Sequence, residues 1–149
     1  MKKLKIAIGL VVLVIISYCV FHQCSILQYD SQIKEKYKLV ESDKLHIYKL
    51  TYEDFIEKQE NNTLDKPIII SRADCEHCIT FFRRLNKGNS NKSINIYILE
   101  SDKMSVSQKL DLENSLYISS VPTLIKVNSG SISEIYSGYI SDDILESLS

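Results

Sequence analysis

The sequence predicts an α/β fold in which a central mixed sheet is flanked by helices. Short runs of β-branched and aliphatic residues alternate along the chain with segments of helical periodicity, as in parallel strands joined by helical crossovers. A Gly-containing turn near the C-terminus joins the last two runs as a hairpin and adds antiparallel strands. The 149 residues, 44% hydrophobic and 25% charged, have the size and composition of one globular domain.

Residues 1–28 are predicted to be a signal-anchor that crosses the membrane as a helix. The run from Ile6 to Phe21 is almost wholly apolar and follows three lysines. Extended to Leu27, such a helix would be about 33 Å long and could span the hydrocarbon core. The lysines orient the N-terminus towards the cytoplasm and the domain outside. Secretion after cleavage is the alternative, although the best candidate cleavage sites, Ser17-Tyr18-Cys19 and Gln23-Cys24-Ser25, are poor.

Residues 29–44 are polar and charged, and are predicted to be a spacer or a helical extension that lifts the domain, residues 45–149, off the membrane. The formal net charge of the chain is −1. No segment has the basic patch of a nucleic-acid-binding surface, so no nucleic-acid partner is predicted.

Three apolar runs predict the first three strands. Residues 45–50 alternate apolar and polar side chains, which is typical of a half-buried strand. Ile68–Ile70 is continuously apolar, as in a central strand covered on both faces, and Pro67 opens it where a missing N–H is tolerated. Residues 94–99 form the third strand.

The first two helices of the domain follow from capping and periodicity. Thr51 and Asp54 predict a capping box at the start of a helix that ends near Glu60. A second helix follows Cys78 and is predicted to end at Gly88 and Asn89. Its apolar stripe consists of Ile79, Phe82 and Leu85. The polar residues Arg83, Arg84 and Lys87 are predicted to face away from that stripe.

The C-terminal third is predicted to contain a helix, a hairpin and a last helix. The helix covers residues 106–114. Residues 124–127 and 132–137 form the hairpin around the turn Asn128-Ser129-Gly130. Ser141 is the predicted N-cap of the last helix, residues 142–148.

The sequence Cys75-Glu76-His77-Cys78 lies at the predicted turn between the second strand and its helix. Such a pair can exchange a disulfide with a substrate by thiolate attack and then resolve the mixed disulfide internally. We expect Cys75 to be the solvent-facing nucleophile, because the free N–H groups and dipole of the helix N-terminus favour its thiolate. Cys78, one turn into the helix, is the predicted shielded resolving thiol.

The neighbouring side chains are expected to tune this chemistry. His77 can place a donor or a positive charge near the Cys75 sulfur, whereas Glu76 and Asp74 bring negative charge that opposes the thiolate. Together they predict a pair that is more oxidising than a thioredoxin and less oxidising than the strongest oxidases.

A Cys-x-x-Cys pair is also half of a zinc site, which usually needs four ligands. The domain offers only His46 and His77 besides the two cysteines, so no metal is predicted. The remaining cysteines, Cys19 and Cys24, lie in or beside the anchor. Cys24 could be free, acylated or intermolecularly paired, and the sequence does not decide between these states.

From about residue 45 to residue 149 the chain resembles the thioredoxin superfamily. The resemblance is carried by the Cys-Glu-His-Cys sequence and by Val121-Pro122-Thr123, whose proline follows Cys78 by 44 residues. It implies a thioredoxin-like fold, a cis bond before Pro122 packed against the cysteine pair, and binding of the substrate backbone by Val121. The redox group it implies is the Cys75–Cys78 disulfide itself, with no other cofactor.

Three positions depart from that family. Ile69 stands where typical thioredoxins have a buried aspartate that assists proton transfer at the resolving thiol, Asp74 replaces a tryptophan, and Glu76-His77 replaces Gly-Pro. Glu76 or water would then have to take the proton. The anchor and the composition also look like those of the bacteriocin-accessory thiol-disulfide proteins of Gram-positive bacteria.

These observations predict a membrane-anchored thiol-disulfide oxidoreductase acting on protein cysteines outside the cytoplasmic membrane. A separate redox partner would reset the pair, and the sequence does not indicate the direction of electron flow. The alternative is a non-catalytic thioredoxin-fold binding or accessory module for a secreted peptide or a secretion partner.

Overall fold

The computed structural model describes residues 2–37, 39, 44–88 and 93–148. Its elements follow the predicted alternation of strands and helices and end in a hairpin and a short helix. In chain order they are α1 (Lys2–Lys36), β1 (Leu45–Lys49), α2 (Tyr52–Glu60), β2 (Ile68–Ser71), α3 (Glu76–Gly88), β3 (Ile94–Glu100), a 3₁₀ turn (Ser101–Lys103), α4 (Val106–Leu116), β4 (Thr123–Asn128), β5 (Ser131–Ser137) and α5 (Asp142–Glu146).

The five strands form one sheet in the order β1-β3-β2-β4-β5. β3 pairs in parallel with β1 and β2, and β4 pairs antiparallel with β2 and β5. The predicted central strand is therefore the middle strand of the sheet. This mixed sheet with helices on both faces fits the thioredoxin-like fold that the resemblance implies.

Side chains of β2 contribute to the hydrophobic core on both faces of the sheet. Ile69 packs in a cluster with residues of α1, α3 and α5, whereas Ile68 and Ile70 pack in a second cluster with residues of α2 and α4. All three isoleucines are at most 2% exposed. Successive strand residues point to opposite faces, and a strand buried on both faces therefore requires the continuous apolar run found in the sequence.

Local sequence signals fix two of the connections. The capping box of α2 is present, with the Asp54 amide donating to Thr51 Oγ1 at 3.1 Å. In the β4–β5 turn, Ser129 and Gly130 have φ values of 51° and 86°. A Cβ at Gly130 would lie 1.9 Å from the backbone oxygen of Asn62, so this position requires glycine for both its dihedral angle and its close packing.

Some details of the predicted helices are wrong. Ser141 occupies the N-cap position of α5, but its side chain makes no capping hydrogen bond within the described chain. Arg84, predicted to face away, is held by Asp142 of α5, with Nη2 2.6 Å from Oδ1. α5 ends at Glu146, before the predicted Leu148. The predicted end of α3 at Asn89 lies outside the described residues.

The last turns of α1 pack against the sheet. Ile33 is 2% exposed and Tyr37, directly after the helix, is 0% exposed. The Ile47 amide donates to Asp30 Oδ1 at 3.0 Å. Residues 30–37, predicted to lift the domain off the membrane, are thus part of the folded unit, because their apolar face covers one end of the sheet. Residues 38 and 40–43 of the predicted spacer lie outside the described chain.

α1 also includes the segment predicted to be a membrane anchor. Among the residues whose placement is described, no helix is both long enough and apolar enough to cross a membrane. The anchor over residues 1–28 stays a prediction.

Candidate active site

The Cys75 sulfur occupies the place of a capping oxygen at the start of α3. Cys75 lies in the turn after β2, and its amide donates to the backbone oxygen of Arg72 at 3.2 Å. The Ile79 amide donates to the Cys75 carbonyl at 3.1 Å, as the first turn of the helix requires. The Cys78 amide donates to Cys75 Sγ at 3.3 Å. The Cys78 amide, one of the free N–H groups of the helix N-terminus, therefore points at the Cys75 sulfur.

The two thiols differ in accessibility. Cys78 is 0% exposed and Cys75 is 9% exposed. Cys75 is more covered than a solvent-facing nucleophile would be, because the backbone of Val121 lies over it, and its thiol donates to the Val121 carbonyl at 3.8 Å. Both cysteines are free thiols, so the structure corresponds to the reduced pair.

Burial raises the pKa of Cys78 to about 11, and the adjacent Cys75 sulfur contributes in the same direction. The Arg72 backbone and the Ser71 hydroxyl lower it in part, by favouring the thiolate. In this geometry Cys78 is protonated at neutral pH.

The Val121–Pro122 segment lies across the cysteine pair. The bond between these residues is cis, as the resemblance implies. The amide of Gly138, after β5, donates to the Pro122 carbonyl at 3.0 Å. Thr123 Oγ1 donates to the Ser120 carbonyl at 2.7 Å. These two hydrogen bonds hold the segment from both sides, and Val121 stays partly exposed beside Cys75.

A cleft of about 350 Å³ opens beside this segment. Its walls are mostly apolar, with Phe81 of α3 and Pro122 facing His77 and Tyr139. Tyr139 is 83% exposed, and the Arg84 guanidinium lies 4.8 Å from the centre of its ring. An exposed aromatic ring, a cation and an apolar floor next to Cys75 are features suited to binding an extended polypeptide.

The charged residues next to the two cysteines differ in their contacts. Asp74 forms an ion pair with Arg72, with Oδ1 2.6 Å from Nε. Glu76 is exposed in the first turn of α3 and His77 is exposed at the rim of the cleft. Arg72 was not predicted to take part in the site, although an arginine two residues before Asp74 in a tight turn is a detectable signal.

Two polar groups near Cys78 were also missed. Ser71 ends β2 and Tyr37 follows α1, and both are 0% exposed. Ile69, which stands where typical thioredoxins have a buried aspartate, is 0% exposed and lies in the core. Tyr37 falls in the segment predicted to be a spacer, so no sequence pattern marked it as part of the site.

The zinc alternative gains no support from the described chain. Within residues 2–37, 39, 44–88 and 93–148, no group of three or more His, Cys, Asp or Glu side chains could hold a metal ion. His46 lies on the edge strand β1, in register with Asn95 of β3. The cysteines lie elsewhere, at the start of α3 after the central strand β2.

No protein-family model matches the chain, and no curated protein matches it. Among solved structures, the crystal structure of thioredoxin from Aeropyrum pernix is similar to it, with 17% sequence identity and a TM-score of 0.46. The similarity covers 66% of this chain and 80% of that one.

Proposed function

We propose that this protein is a thiol-disulfide oxidoreductase that acts on protein cysteines, with Cys75 as the nucleophile and Cys78 as the resolving thiol. The observation that carries the proposal is the hydrogen bond from the Cys78 amide to Cys75 Sγ, 3.3 Å long, at the N-terminus of α3. It holds the more accessible sulfur at the start of the helix and leaves the buried sulfur one turn away, in place to resolve the mixed disulfide.

The exchange proceeds in two displacements. The Cys75 thiolate attacks one sulfur of a substrate disulfide, and the other substrate sulfur leaves as a thiolate. Cys78 then loses its proton to water and attacks Cys75 Sγ, which releases the second substrate thiolate and leaves a Cys75–Cys78 disulfide. In the opposite direction, a substrate thiolate attacks the oxidised pair and the same steps run in reverse. A redox partner resets the pair in either case.

The surface around Cys75 supports a polypeptide substrate. The partly exposed Val121 backbone lies directly beside Cys75, and the cleft between His77, Phe81 and Tyr139 continues from it. An extended polypeptide segment can lie along Val121 and place an apolar side chain in this cleft. A cysteine-containing polypeptide therefore suits the site better than a small thiol does.

We place this activity outside the cytoplasmic membrane, with residues 1–28 as a single-pass anchor and the N-terminus in the cytoplasm. The apolar run after three lysines supports this placement, and disulfide exchange is compatible with such a compartment. A protein of the Gram-positive bacteriocin-accessory type would have this organisation, with a secreted peptide or its secretion partner as substrate.

Reduction of a disulfide-containing protein such as insulin by dithiothreitol tests the proposal. The full-length protein in detergent should accelerate the reaction, and Cys75→Ser should abolish the acceleration. Mixed with a disulfide-bonded substrate in the absence of dithiothreitol, reduced Cys78→Ala should accumulate a mixed disulfide with the substrate on Cys75, detectable by mass spectrometry after acid quenching. Cys24→Ser, which removes an exposed cysteine of α1, is the matched control and should behave as the parent.

Full biological function of Cys75→Ser, together with no acceleration by the parent, would overturn the proposal. That outcome would instead favour the non-catalytic binding module, because such a module needs the surface around Val121 and not the thiol.

A further inference from the structure

Two buried hydroxyl groups lie beside the resolving thiol. Tyr37 Oη and Ser71 Oγ are both inaccessible to solvent, and neither has a hydrogen-bond partner of standard geometry among the described residues. Leaving a buried hydroxyl unpaired costs roughly 1–3 kcal/mol in general. Two such groups next to a reactive sulfur are therefore candidates for a function.

The register of the sheet places Ser71 on the face that carries the cysteines. Ser71 lies two residues after Ile69, so its side chain points to the same face, where Ile69 packs with Cys75 and Cys78. Ser71 is also the register partner of Glu100 on β3. The strand that ends beside the cysteine pair thus presents a hydroxyl to it.

Tyr37 reaches the same place from α1. Its ring packs against Phe82 of α3, with the ring centroids 4.4 Å apart, and Phe82 lies one turn after Cys78. The phenol and the Cys78 sulfur are close enough to affect each other electrostatically, and the Ser71 hydroxyl favours ionisation of both groups. Ser71 is therefore a neighbour of both the phenol and the thiol.

The charged groups around this cluster favour a phenol that stays protonated. Burial raises the pKa of Tyr37, and Glu100 and Asp102 contribute in the same direction. Both carboxylates are held by Lys36 of α1. Tyr37 is thus a hydrogen-bond donor throughout the pH range in which Cys78 would react.

We infer that Ser71 donates a hydrogen bond to the Cys78 thiolate as it forms, and that Tyr37 acts as a positioning residue by donating to Ser71 Oγ. This hydroxyl pair stabilises the thiolate in the place where the family's buried aspartate is replaced by Ile69. The inference rests on the proposed function and specifies how its second step is accelerated.

The step balances without any further reactant. The Cys78 thiol gives its proton to water, and an electron pair of Cys78 Sγ forms the bond to Cys75 Sγ. The bond between Cys75 Sγ and the substrate sulfur breaks, and the substrate thiolate leaves with the electron pair and takes up a proton from water. Ser71 and Tyr37 keep their protons throughout.

The test separates the two chemical steps. Full-length reduced protein carrying Cys19→Ser and Cys24→Ser is mixed with a disulfide-bonded peptide and quenched in acid at successive times. Mass spectrometry then measures the mixed disulfide on Cys75. Tyr37→Phe and Ser71→Ala should leave its rate of formation unchanged and slow its decay by about tenfold, the effect of a thiol pKa raised by one unit.

The pH dependence of the decay distinguishes this role from a structural one. Both variants should move the pH profile of the decay rate to higher pH. Tyr37→Phe keeps the ring against Phe82, so it remains informative if Ser71→Ala does not fold. Tyr136→Phe, which removes a hydroxyl bonded to Glu134 on β5, is the matched control and should move neither rate nor profile.

Decay rates within twofold of the parent, with unmoved pH profiles in both variants, would overturn the inference while leaving the proposed function intact. If the parent itself forms no mixed disulfide, the proposed function fails and the inference fails with it.

Discussion

Arg72 Nε lies 2.6 Å from Asp74 Oδ1, so the charge expected to oppose the Cys75 thiolate is offset by a neighbour two residues earlier. Both side chains are well exposed, at 51% and 77%. Such a pair is weak in water. Because it lies directly before Cys75, we expect its two members to affect the reduction potential of the cysteine pair in opposite directions.

Neutralising either Arg72 or Asp74 should shift the reduction potential of the cysteine pair, and the charge that remains should decide the direction of the shift. Arg72→Gln leaves Asp74 unopposed, disfavours the thiolate of the reduced form and should lower the potential by about 10–20 mV. Asp74→Asn should raise it by a similar amount. Equilibration with glutathione measures both, and Arg83→Gln, which removes an exposed charge further along α3, should leave it unchanged. Shifts of the same sign in the first two variants would contradict the electrostatic explanation.

Tyr139 should contribute to substrate binding and not to chemistry. It is 83% exposed and contacts the Arg84 guanidinium at the cleft, so Tyr139→Ala should leave the free energy of unfolding nearly unchanged. Steady-state reduction of a disulfide-bonded peptide should show KM raised by roughly threefold to tenfold, as expected for loss of one aromatic contact, with kcat retained. Tyr117→Ala removes a tyrosine that is 88% exposed outside this cleft and should leave KM unchanged. A fall in kcat alone would contradict the binding role.

The elements of the domain were predictable because their signals are local. The triple-isoleucine run predicts a strand buried on both faces, and Thr51 with Asp54 predicts a capping box, since each depends on residues close in sequence. Cys75 at a strand-to-helix turn and a proline at the start of a later strand were equally visible. The resemblance then added the cis bond at Pro122, which no local pattern gives.

The surroundings of the cysteines were less predictable, because they depend on contacts between distant segments. Tyr37 lies in a polar stretch whose periodicity is weak, and only the packed structure brings its ring to Phe82. The ion pair of Arg84 with Asp142 joins residues 58 positions apart. Arg84 has the sequence pattern of a solvent-facing helix residue, and its role depends on where α5 docks.

Gly130 should be the less replaceable of two glycines with positive φ. Gly130→Ala forces a left-handed residue and places its Cβ 1.9 Å from the Asn62 backbone oxygen, so it should lower the free energy of unfolding by roughly 3 kcal/mol. Gly138 has φ +79° but no atom within 4 Å of an added Cβ. Gly138→Ala should therefore cost only about 1–2 kcal/mol. Denaturant unfolding measures both, and equal losses would show that the dihedral angle, not the close approach, decides the cost.

Above about pH 9 the reduced protein should lose stability as Cys78 ionises. The pKa of this thiol is raised from 9.0 to about 11 by burial, so the unfolded chain releases the proton at lower pH than the folded chain does. Between these values the unfolded state binds fewer protons, and the free energy of unfolding falls as pH rises. The contribution of the protonated Cys78 thiol to stability is complete below pH 9.0, the pKa of the unfolded chain, and is lost above about pH 11, the pKa of the folded chain. Denaturant unfolding across this pH range should show that the free energy of unfolding falls less steeply for Cys78→Ala than for the parent. Some decline remains in the variant because Tyr37 still titrates. Equal slopes in the two proteins would contradict the assignment of the decline to Cys78.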